Sequence, residues 1–213
     1  MTEDYHTDHG DGADFYSAGL SRGCGGNGFW AADRLWCSKN LIHSRVLANG
    51  PIRVLFELDY DAFDVNGISV GETKRISLDA GQNFDHFQST YRVSSDLTET
   101  IKPAVGLKKM TGEQLEINES KGWFAKWEPM EKKAGNQGLA IITGPGGIVK
   151  KTEDTLNQLV ILKLAGGNTV SYWAGFCWDK AGEITTADAW KKHVDEFASS
   201  IAEPIKVTIA GSP

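Results

Sequence analysis

Apolar and polar residues alternate along much of the chain with the two-residue period of half-buried β-strands. The clearest run is residues 51–60, which places large apolar side chains on one face: Ile52, Val54, Phe56, Leu58 and Tyr60. Two further runs, residues 70–78 and 84–93, follow the turn sequences Asn66-Gly67 and Asp79-Ala80-Gly81. These three runs predict a meander of antiparallel strands.

More strands are predicted in the second half of the chain, at residues 122–128, 139–143, 159–164 and 169–176. In the first of these, Trp123, Ala125 and Trp127 share one face. Two glycine-rich segments are interpreted as irregular structure: residues 19–28 as a tight loop, and residues 144–147 as a hairpin turn. Neither glycine-rich segment has the Lys-Ser/Thr pair of a phosphate-binding loop.

One helix is predicted near the carboxyl end, because Trp190, Val194, Phe197 and Ile201 recur at helical spacing. Thr185, three residues before Asp188, is the predicted amino-terminal cap. Pro204 ends the helix, and residues 205–209 alternate again as a last strand. The pattern predicts an all-β fold, an antiparallel β-sandwich with one late α-helix, because so many strands need two facing layers.

Length and charge narrow the range of functions. The 213 residues are predicted to form a single domain, residues 1–213, with enough core to need no disulfide framework. The net charge of −6 lies mostly in the first fourteen residues, and the pI near 5.4 leaves no basic stripe, so nucleic acid is not an expected partner.

No apolar run is long enough to span a membrane, and the acidic start does not resemble an export signal. Cys24, Cys37 and Cys177 are expected to be buried free thiols, and a disulfide between Cys24 and Cys37 is the alternative in an exporting context.

The amino terminus concentrates the residues best suited to chemistry. Candidate catalytic residues there are His6, Asp8, His9, Asp11, Asp14 and Tyr16. A His beside an Asp is suited to proton transfer near neutral pH, and paired carboxylates are suited to glycoside hydrolysis. The same His and Asp side chains are possible metal ligands, although their spacing matches no established pattern. The remaining interpretation is a solvated terminus with Asp and Gly in turns.

Aromatic and charged residues supply candidates for substrate binding. Seven Trp residues are more than a core of this size requires, so a subset that includes Trp30 and Trp173 is predicted to stack on sugar rings. The alternative for any single Trp is the core of the sandwich. Four cations, Lys39, Arg45, Arg53 and Lys74, are candidates for binding a uronic acid. Glu72, with Lys74 and Asp79, is a candidate for holding substrate hydroxyls on one sheet face, and a solvated outer face is the alternative.

A family resemblance rests on motifs distributed along the chain. They are Asp8-His9-Gly10-x-Gly12-x-Asp14-x-Tyr16-x-x-Gly19, Gly23-x-Gly25-Gly26, Lys39-Asn40, Asn49-Gly50-Pro51-Ile52-Arg53, Glu72-Thr73-Lys74, Leu78-Asp79-Ala80-Gly81, and Tyr172-Trp173-Ala174-Gly175-x-x-Trp178 before the Trp190 helix and Pro204-Ile205. From about Asp8 to Ile209 the chain resembles a bacterial family of domains of unknown function, numbered 4861. It is similar to the carboxyl-terminal part of longer family members.

The resemblance implies a context rather than a reaction. It implies the supersandwich of galactose mutarotase-like and lyase domains, a place in polysaccharide breakdown, and a periplasmic or secreted location. It supplies no set of catalytic residues. The expected partner is therefore an oligosaccharide or polysaccharide, and a homo-oligomer is also possible.

The leading hypothesis is a carbohydrate-active enzyme, a glycoside hydrolase or polysaccharide lyase, that acts on a substrate containing uronic acid. His9 or His6 transfers the proton, Asp8, Asp11 or Asp14 assists as its partner or as a second carboxylate, and Tyr16 is a phenolic acid. Lys39, Arg45 or Arg53 binds the sugar carboxylate.

Two other hypotheses stay open. One is a non-catalytic carbohydrate-binding module that uses Trp side chains as platforms. The other is a metal-dependent site at His6, Asp8 and His9. No organic cofactor is expected, and a divalent cation is the one cofactor that the residues leave open.

Overall fold

The structure is a computed structural model that describes residues 5–10, 12, 14–93, 101–131, 134–164 and 168–206. The described residues form thirteen β-strands: β1 Cys24–Ala31, β2 Arg34–Trp36, β3 His43–Asn49, β4 Arg53–Val65, β5 Ile68–Asp79, β6 Phe84–Val93, β7 Lys102–Lys108, β8 Gln114–Asn118, β9 Trp123–Pro129, β10 Asn136–Ile142, β11 Ile148–Glu153, β12 Asn157–Leu162 and β13 Thr169–Trp178. Helix α1, Ala187–Ala202, follows them. The predicted all-β class with one late helix is confirmed.

The strands form two antiparallel sheets that face each other. The larger sheet has the order β3-β4-β5-β6-β13-β10-β9-β8, and the smaller sheet has the order β11-β12-β7-β1-β2. Apolar side chains from both sheets, such as Phe29 and Val105 from the smaller and Ile141 and Tyr172 from the larger, form one buried core. We call the side of the larger sheet that faces this core the inner face. The predicted β-sandwich is therefore present.

The predicted meander is confirmed by the pairing of β4, β5 and β6. Asn66 and Gly67 form the two-residue turn between β4 and β5, and both have the positive φ that such hairpin turns require. Cross-strand neighbours share a face, so the register places Tyr60, Glu72 and Tyr91 together on the inner face.

Two predictions about glycine-rich segments are wrong. Residues 24–28 of the predicted loop belong to β1, which lies between β7 and β2 in the smaller sheet. Glycine fits this strand because it approaches the larger sheet closely: a Cβ added at Gly25 would lie 2.3 Å from Ala174 Cβ. Residues 144–147 do not close a hairpin, because β10 belongs to the larger sheet and β11 to the smaller one. The segment instead carries the chain from one layer to the other.

Helix α1 packs on the outer face of the larger sheet, the side away from the smaller sheet. Its Trp190, Val194 and Ala198 are buried against Trp123 and Ala125 of β9, among others. Burying a large apolar side chain of this kind stabilises a fold by about 1.5–3 kcal/mol. This packing confirms the predicted apolar stripe of the helix and the shared face of Trp123, Ala125 and Trp127 on β9.

The ends of the helix differ slightly from the prediction. The cap is Thr186 rather than Thr185, since the Thr186 hydroxyl accepts a hydrogen bond of 3.2 Å from the backbone N–H of Ala189. The helix ends at Ala202, before Pro204 as expected. Residues 205 and 206 are not in a strand, and residues 207–209 of the predicted last strand lie outside the described residues.

Cys177 is buried, Cys24 and Cys37 are half-buried, and all three thiols are free, as expected. Within the described ranges, no helix has the length and apolar character needed to cross a membrane.

Candidate functional site

Three adjoining cavities line one end of the inner face, and together we call them the cleft. The amino-terminal cavity, of about 370 Å³, is lined by His6, Asp14, Phe15, Tyr16, Ser17 and Glu131. The central cavity, of about 280 Å³, shares Asp14, Phe15 and Tyr16 with it and adds Cys24, Met130, Gln137, Leu139, Phe176 and Trp178. The Asp85 cavity, of about 500 Å³, shares Phe176 and Trp178 with the central one. Cavities of this size are typical of small-molecule sites.

Two aromatic side chains of β13 connect the central cavity to the Asp85 cavity. Phe176 and Trp178 alternate inward on β13, opposite Leu139 and Gln137 of β10. Phe176 is 60% exposed, whereas Tyr172 and Ala174, which point to the same face from β13, are buried. The Trp178 indole is fixed because its N–H donates a 2.9 Å hydrogen bond to the Ala134 carbonyl. The cleft therefore presents two aromatic surfaces to whatever occupies it.

Tyr16 separates the amino-terminal cavity from the central cavity. Its hydroxyl is buried and has no hydrogen-bond partner among the described residues. Burial raises the pKa of Tyr16 well above its ordinary value, and the nearby carboxylates of Glu128 and Glu113 act in the same direction. The phenol consequently stays protonated and is available to donate a hydrogen bond or a proton to a bound oxygen.

A buried charged network lies close to Tyr16 and extends to Gln137 in the wall of the central cavity. The Lys126 ammonium lies 2.5 Å from Glu128 Oε2 and 2.9 Å from Glu113 Oε2, and the side chains of Lys126 and Glu128 are both 0% exposed. Gln137 Nε2 donates to Glu128 Oε1 at 2.7 Å, and Gln158 Nε2 donates to Glu113 Oε1 at 2.8 Å. Such a network fixes the side chains that belong to it.

The two carboxylates of this network have different pKa values. Burial raises the pKa of Glu128, and the contacts with Lys126 only partly offset this rise. Burial acts in the same way on Glu113, but hydrogen bonds from Lys126 and Gln158 outweigh it and lower the pKa of Glu113. Two carboxyl groups with pKa values that differ in direction are a common feature of sites that move protons, although structural ion pairs produce the same effect.

Asp85 is the second protonatable group of the cleft. It follows the buried Phe84 on β6 and points to the inner face, opposite Ala174. Burial raises the pKa of Asp85, and the described residues provide no hydrogen bond or ion pair to its carboxyl group. A carboxyl group in this environment holds its proton at a higher pH than an exposed one, so it can act as a proton donor.

The predicted amino-terminal cluster is only partly brought to the cleft. His6 and Asp14 line the amino-terminal cavity, and His6 Nδ1 lies 2.6 Å from the Asp14 carbonyl oxygen. The Asp8 carboxylate instead binds the backbone N–H of Gly10 at 2.9 Å, which lowers the pKa of Asp8. His9 is exposed. Asp11 lies outside the described residues.

The described part of the chain does not bring three or more His, Cys, Asp or Glu side chains together as a metal site. The structure therefore adds no support to the hypothesis of a site at His6, Asp8 and His9.

Three of the four predicted uronate-binding cations lie away from the cleft. Arg45 pairs with the Glu57 carboxylate, which Arg75 also binds. Arg53 forms two hydrogen bonds to Asp79, of 2.5 and 2.7 Å. Lys39 is exposed between β2 and β3.

These ion pairs are on the outer face of the meander, because Arg45 and Arg53 alternate with the inward residues of β3 and β4. The cations therefore stabilise the sheet surface rather than surround one ligand.

The fourth cation, Lys74, belongs to a buried cluster between the sheets. Its ammonium donates a 2.6 Å hydrogen bond to Asn27 Oδ1 of β1 and lies 3.7 Å from Glu72. Asn27 in turn donates to Glu72 at 2.7 Å and to Tyr91 at 3.1 Å. Burial lowers the pKa of Lys74. Glu72 and Lys74 thus share a face as predicted, whereas Asp79 points to the opposite side of β5.

The two predicted sugar-stacking Trp residues lie on other surfaces. Trp30 alternates with the inward Asn27 and Phe29 and so points away from the larger sheet. Trp173 lies on the outer face, where its ring stacks on His86 with centroids 4.1 Å apart. Phe176 and Trp178 are the aromatic residues that the structure places at the cleft.

Sequence reasoning missed Asp85, Glu128, Phe176 and Gln137. A signal existed for Glu128 and Lys126: both alternate with Trp123, Ala125 and Trp127, whose apolar pattern already occupied one face of the strand. Charged residues on the second face of a strand deep in a sandwich indicate a buried ion pair.

Comparisons with known proteins give a family and one curated relative. The profile of the family described as a domain of unknown function (DUF4861) matches residues 1–207. A relative from Formosa agariphila, called "Uncharacterized protein P7", is 34% identical over 212 residues, which cover 96% of this chain. The chain spans 52% of the length of that relative. No solved structure matches the chain. With nearly all of its described strands and its helix inside the matched region, the chain belongs to the DUF4861 family.

Proposed function

We propose that this chain is a carbohydrate-active enzyme that binds an oligosaccharide or polysaccharide along the cleft and cleaves or rearranges it. The observation that supports this most directly is the position of Phe176 and Trp178. They line the central and Asp85 cavities together, with the Tyr16 phenol in one cavity and the Asp85 carboxyl group in the other. Aromatic surfaces flanked by proton donors suit a ligand that combines apolar C–H faces with many oxygens.

The groups of the cleft have complementary roles in this proposal. Phe176 and Trp178 stack on sugar rings, and Gln137 contributes an amide to hydroxyl groups. Asp85 and Tyr16 both have raised pKa values. Asp85 is therefore protonated more fully than an exposed carboxyl group and can donate its proton to a sugar oxygen during bond cleavage, while the Tyr16 phenol, a weaker acid than an exposed one, donates a hydrogen bond. His6 and Asp14, from the predicted cluster, are at the far end and extend the binding surface.

A second candidate is a non-catalytic carbohydrate-binding module. The exposure of Phe176 favours it, because an open aromatic surface binds sugars with or without turnover. The two candidates differ in one measurable result. A binding module gives saturable calorimetric binding without new reducing ends or unsaturated products, whereas an enzyme releases product from the same ligand.

The test uses the full chain and a panel of neutral and uronic polysaccharides with their oligosaccharides, followed by reducing ends and by ultraviolet absorbance of unsaturated products. Asp85→Asn is expected to lower turnover by about 10²-fold or more, the usual contribution of a general acid, and Tyr16→Phe is expected to lower it by the loss of one hydrogen bond, about tenfold. The matched control is Asp61→Asn, since Asp61 is exposed on β4 and, among the described residues, its carboxylate binds the neighbouring N–H of Ala62 alone. Full activity in both cleft variants, with a substrate that the parent cleaves, would exclude this site.

A further inference from the structure

The charge of the cleft is distributed unevenly, and its Asp85 end is acidic. The Asp85 cavity is lined by two carboxylic acids, Asp85 and Glu183, by the amides of Gln82 and Asn83, and by apolar and aromatic side chains. Among the described residues, no Lys, Arg or His lines either this cavity or the central one.

Two cations close to this region have partners. Lys180, just beyond Trp178, has a side chain that is 46% exposed, and its ammonium lies 3.9 Å from an Asp8 carboxylate oxygen and 5.9 Å from the centroid of the Trp178 ring. Lys126 is 0% exposed and contacts Glu128, so it cannot reach a ligand in the cavity. Buried or paired cations of this kind do not compensate an additional negative charge on a ligand without losing their present partners.

This arrangement selects ligands by charge. A ligand carboxylate in the Asp85 cavity would approach one or two like charges and would lose hydration without gaining a cation. A sugar hydroxyl loses much less, because carboxylates accept from hydroxyl groups and the amides of Gln82 and Asn83 both donate and accept. Ring faces of uncharged sugars can also pack on Phe176 and Trp178.

We propose that the Asp85 end of the cleft binds uncharged sugar residues and hydrolyses the glycosidic bond between them, with Asp85 as the proton donor and Glu183 as the base. This inference rests on the proposed function and narrows its substrate class and reaction type. It differs from the uronic-acid substrate of the leading hypothesis drawn from the sequence.

The chemical step balances with water as the only co-reactant. Asp85 transfers its proton to the glycosidic oxygen as the bond between that oxygen and the anomeric carbon breaks. A water molecule adds its oxygen to the anomeric carbon and gives a proton to the Glu183 carboxylate. Solvent exchange then returns Asp85 to its acid form and Glu183 to its carboxylate form.

Two further observations suit Asp85 to the role of acid. Its carboxyl group has no partner among the described residues, so the proton is not already shared with another side chain. Burial also raises its pKa. The cavity thus holds a half-buried carboxyl group with a raised pKa and a second, exposed carboxyl group, and glycoside hydrolysis uses two carboxyl groups as acid and base. Elimination from a uronate would instead need a cation beside the sugar carboxylate to stabilise the charge that develops there.

The test compares matched substrates that differ only in charge. Oligogalacturonate, oligoglucuronate and oligomannuronate are each paired with the same oligomer after its carboxyl groups have been reduced to primary alcohols, and a neutral polysaccharide panel is added. Binding is measured by calorimetry, and products are followed by reducing ends and by absorbance of unsaturated uronates. We expect at least one neutral ligand to bind roughly tenfold or more tightly than its uronate counterpart and to be cleaved without absorbance.

A charge-reversal variant gives an independent test of the same idea. Glu183→Lys places a cation at the cavity wall, so it should narrow or invert the preference for the neutral member of each pair. Asp61→Lys on the outer face should leave that preference unchanged.

Each outcome bears on the inference or on the proposed function. Equal binding of both members of a pair, or cleavage of a uronate with unsaturated product, overturns the inference and leaves the proposed function intact. Tighter neutral binding without any cleavage overturns the hydrolytic step and supports the binding module. No binding and no cleavage across the whole panel, with folded protein, overturns the proposed function itself.

Discussion

Removing the buried ammonium group of Lys126 is expected to destabilise the protein strongly. In wild type this ammonium lies 2.5 Å from Glu128 and 2.9 Å from Glu113. Lys126→Met retains most of the apolar stem but leaves two buried carboxylates without their shared cation. Removing one partner of a buried ion pair costs about 3–5 kcal/mol. For a domain of this size, that loss corresponds to a fall in Tm of about 6–20 °C.

The sign of the pH dependence provides a second, independent readout. Without Lys126, the pKa of Glu128 in the folded protein rises further above its unfolded value. The folded state then binds more protons than the unfolded state over the interval between these two pKa values, so stability increases as the pH falls through it. The variant should therefore lose more stability at pH 8 than at pH 5.

The assay is urea or thermal unfolding of wild type and variants at both pH values. Lys192→Met is the matched control, because Lys192 and its partner Glu196 are both largely exposed on α1 and such pairs contribute about 0.5 kcal/mol or less. Lys126→Met/Glu128→Leu, which removes both charges, should recover much of the loss. A cost for Lys126→Met no larger than that for Lys192→Met, with no pH dependence, would refute the reasoning.

Two other predictions concern packing and surface charge. Gly138→Ala places a Cβ 2.5 Å from the Trp190 ring and should lower the unfolding free energy by about 1–3 kcal/mol in urea titrations. Gly50→Ala, whose Cβ would lie 3.9 Å from the Arg53 carbonyl oxygen in ordinary van der Waals contact, should change it little. Glu57→Gln should lower Tm at pH 7, because hydrogen bonds from Arg75 and Arg45 lower the pKa of Glu57 and stabilise its charged form. That stabilisation is present above the ordinary pKa of 4.5 and is lost as the pH falls through the folded pKa, so Tm measured against pH should show the two proteins converging in acid.

Strands with a clear run of apolar residues could be predicted from the sequence, whether the run alternates as in the meander or is continuous as in the buried β12, whereas β1 and β7 could not. The meander has alternating patterns because its outer face carries polar and charged residues such as Arg75 and Gln88. β7 has five consecutive buried residues that include Pro103 and Gly106, so it lacks alternation and contains two residues that are disfavoured in strands. β1 has a similar problem, because its glycines reflect close packing between sheets rather than a turn.

The candidate site was predictable only for its amino-terminal part. Tyr16, Asp14 and His6 were singled out by their density of titratable groups, and all three line cavities of the cleft. Asp85 and Phe176 are far apart in sequence and meet only because β6 and β13 pair. Between β6 and β13 the chain passes through the smaller sheet, as β7 and later as β11 and β12, before it returns to the larger sheet. The pattern of apolar residues within single strands does not encode that path.

The interleaving of the two sheets also has a consequence for how the chain folds. The meander β4-β5-β6 joins neighbours in sequence, so its pairs can form early at little loop-closure cost. On the side away from β2, β1 pairs with β7, which is far along the chain, and Asn27 lies opposite Val105. Among the described residues, no strand closer in sequence pairs with β1 on that side. Contacts of such long range slow folding, on average, to the millisecond-to-second range. We therefore expect a refolding intermediate with the meander formed and β1 undocked, whose exposed core surface makes it the species most prone to aggregate.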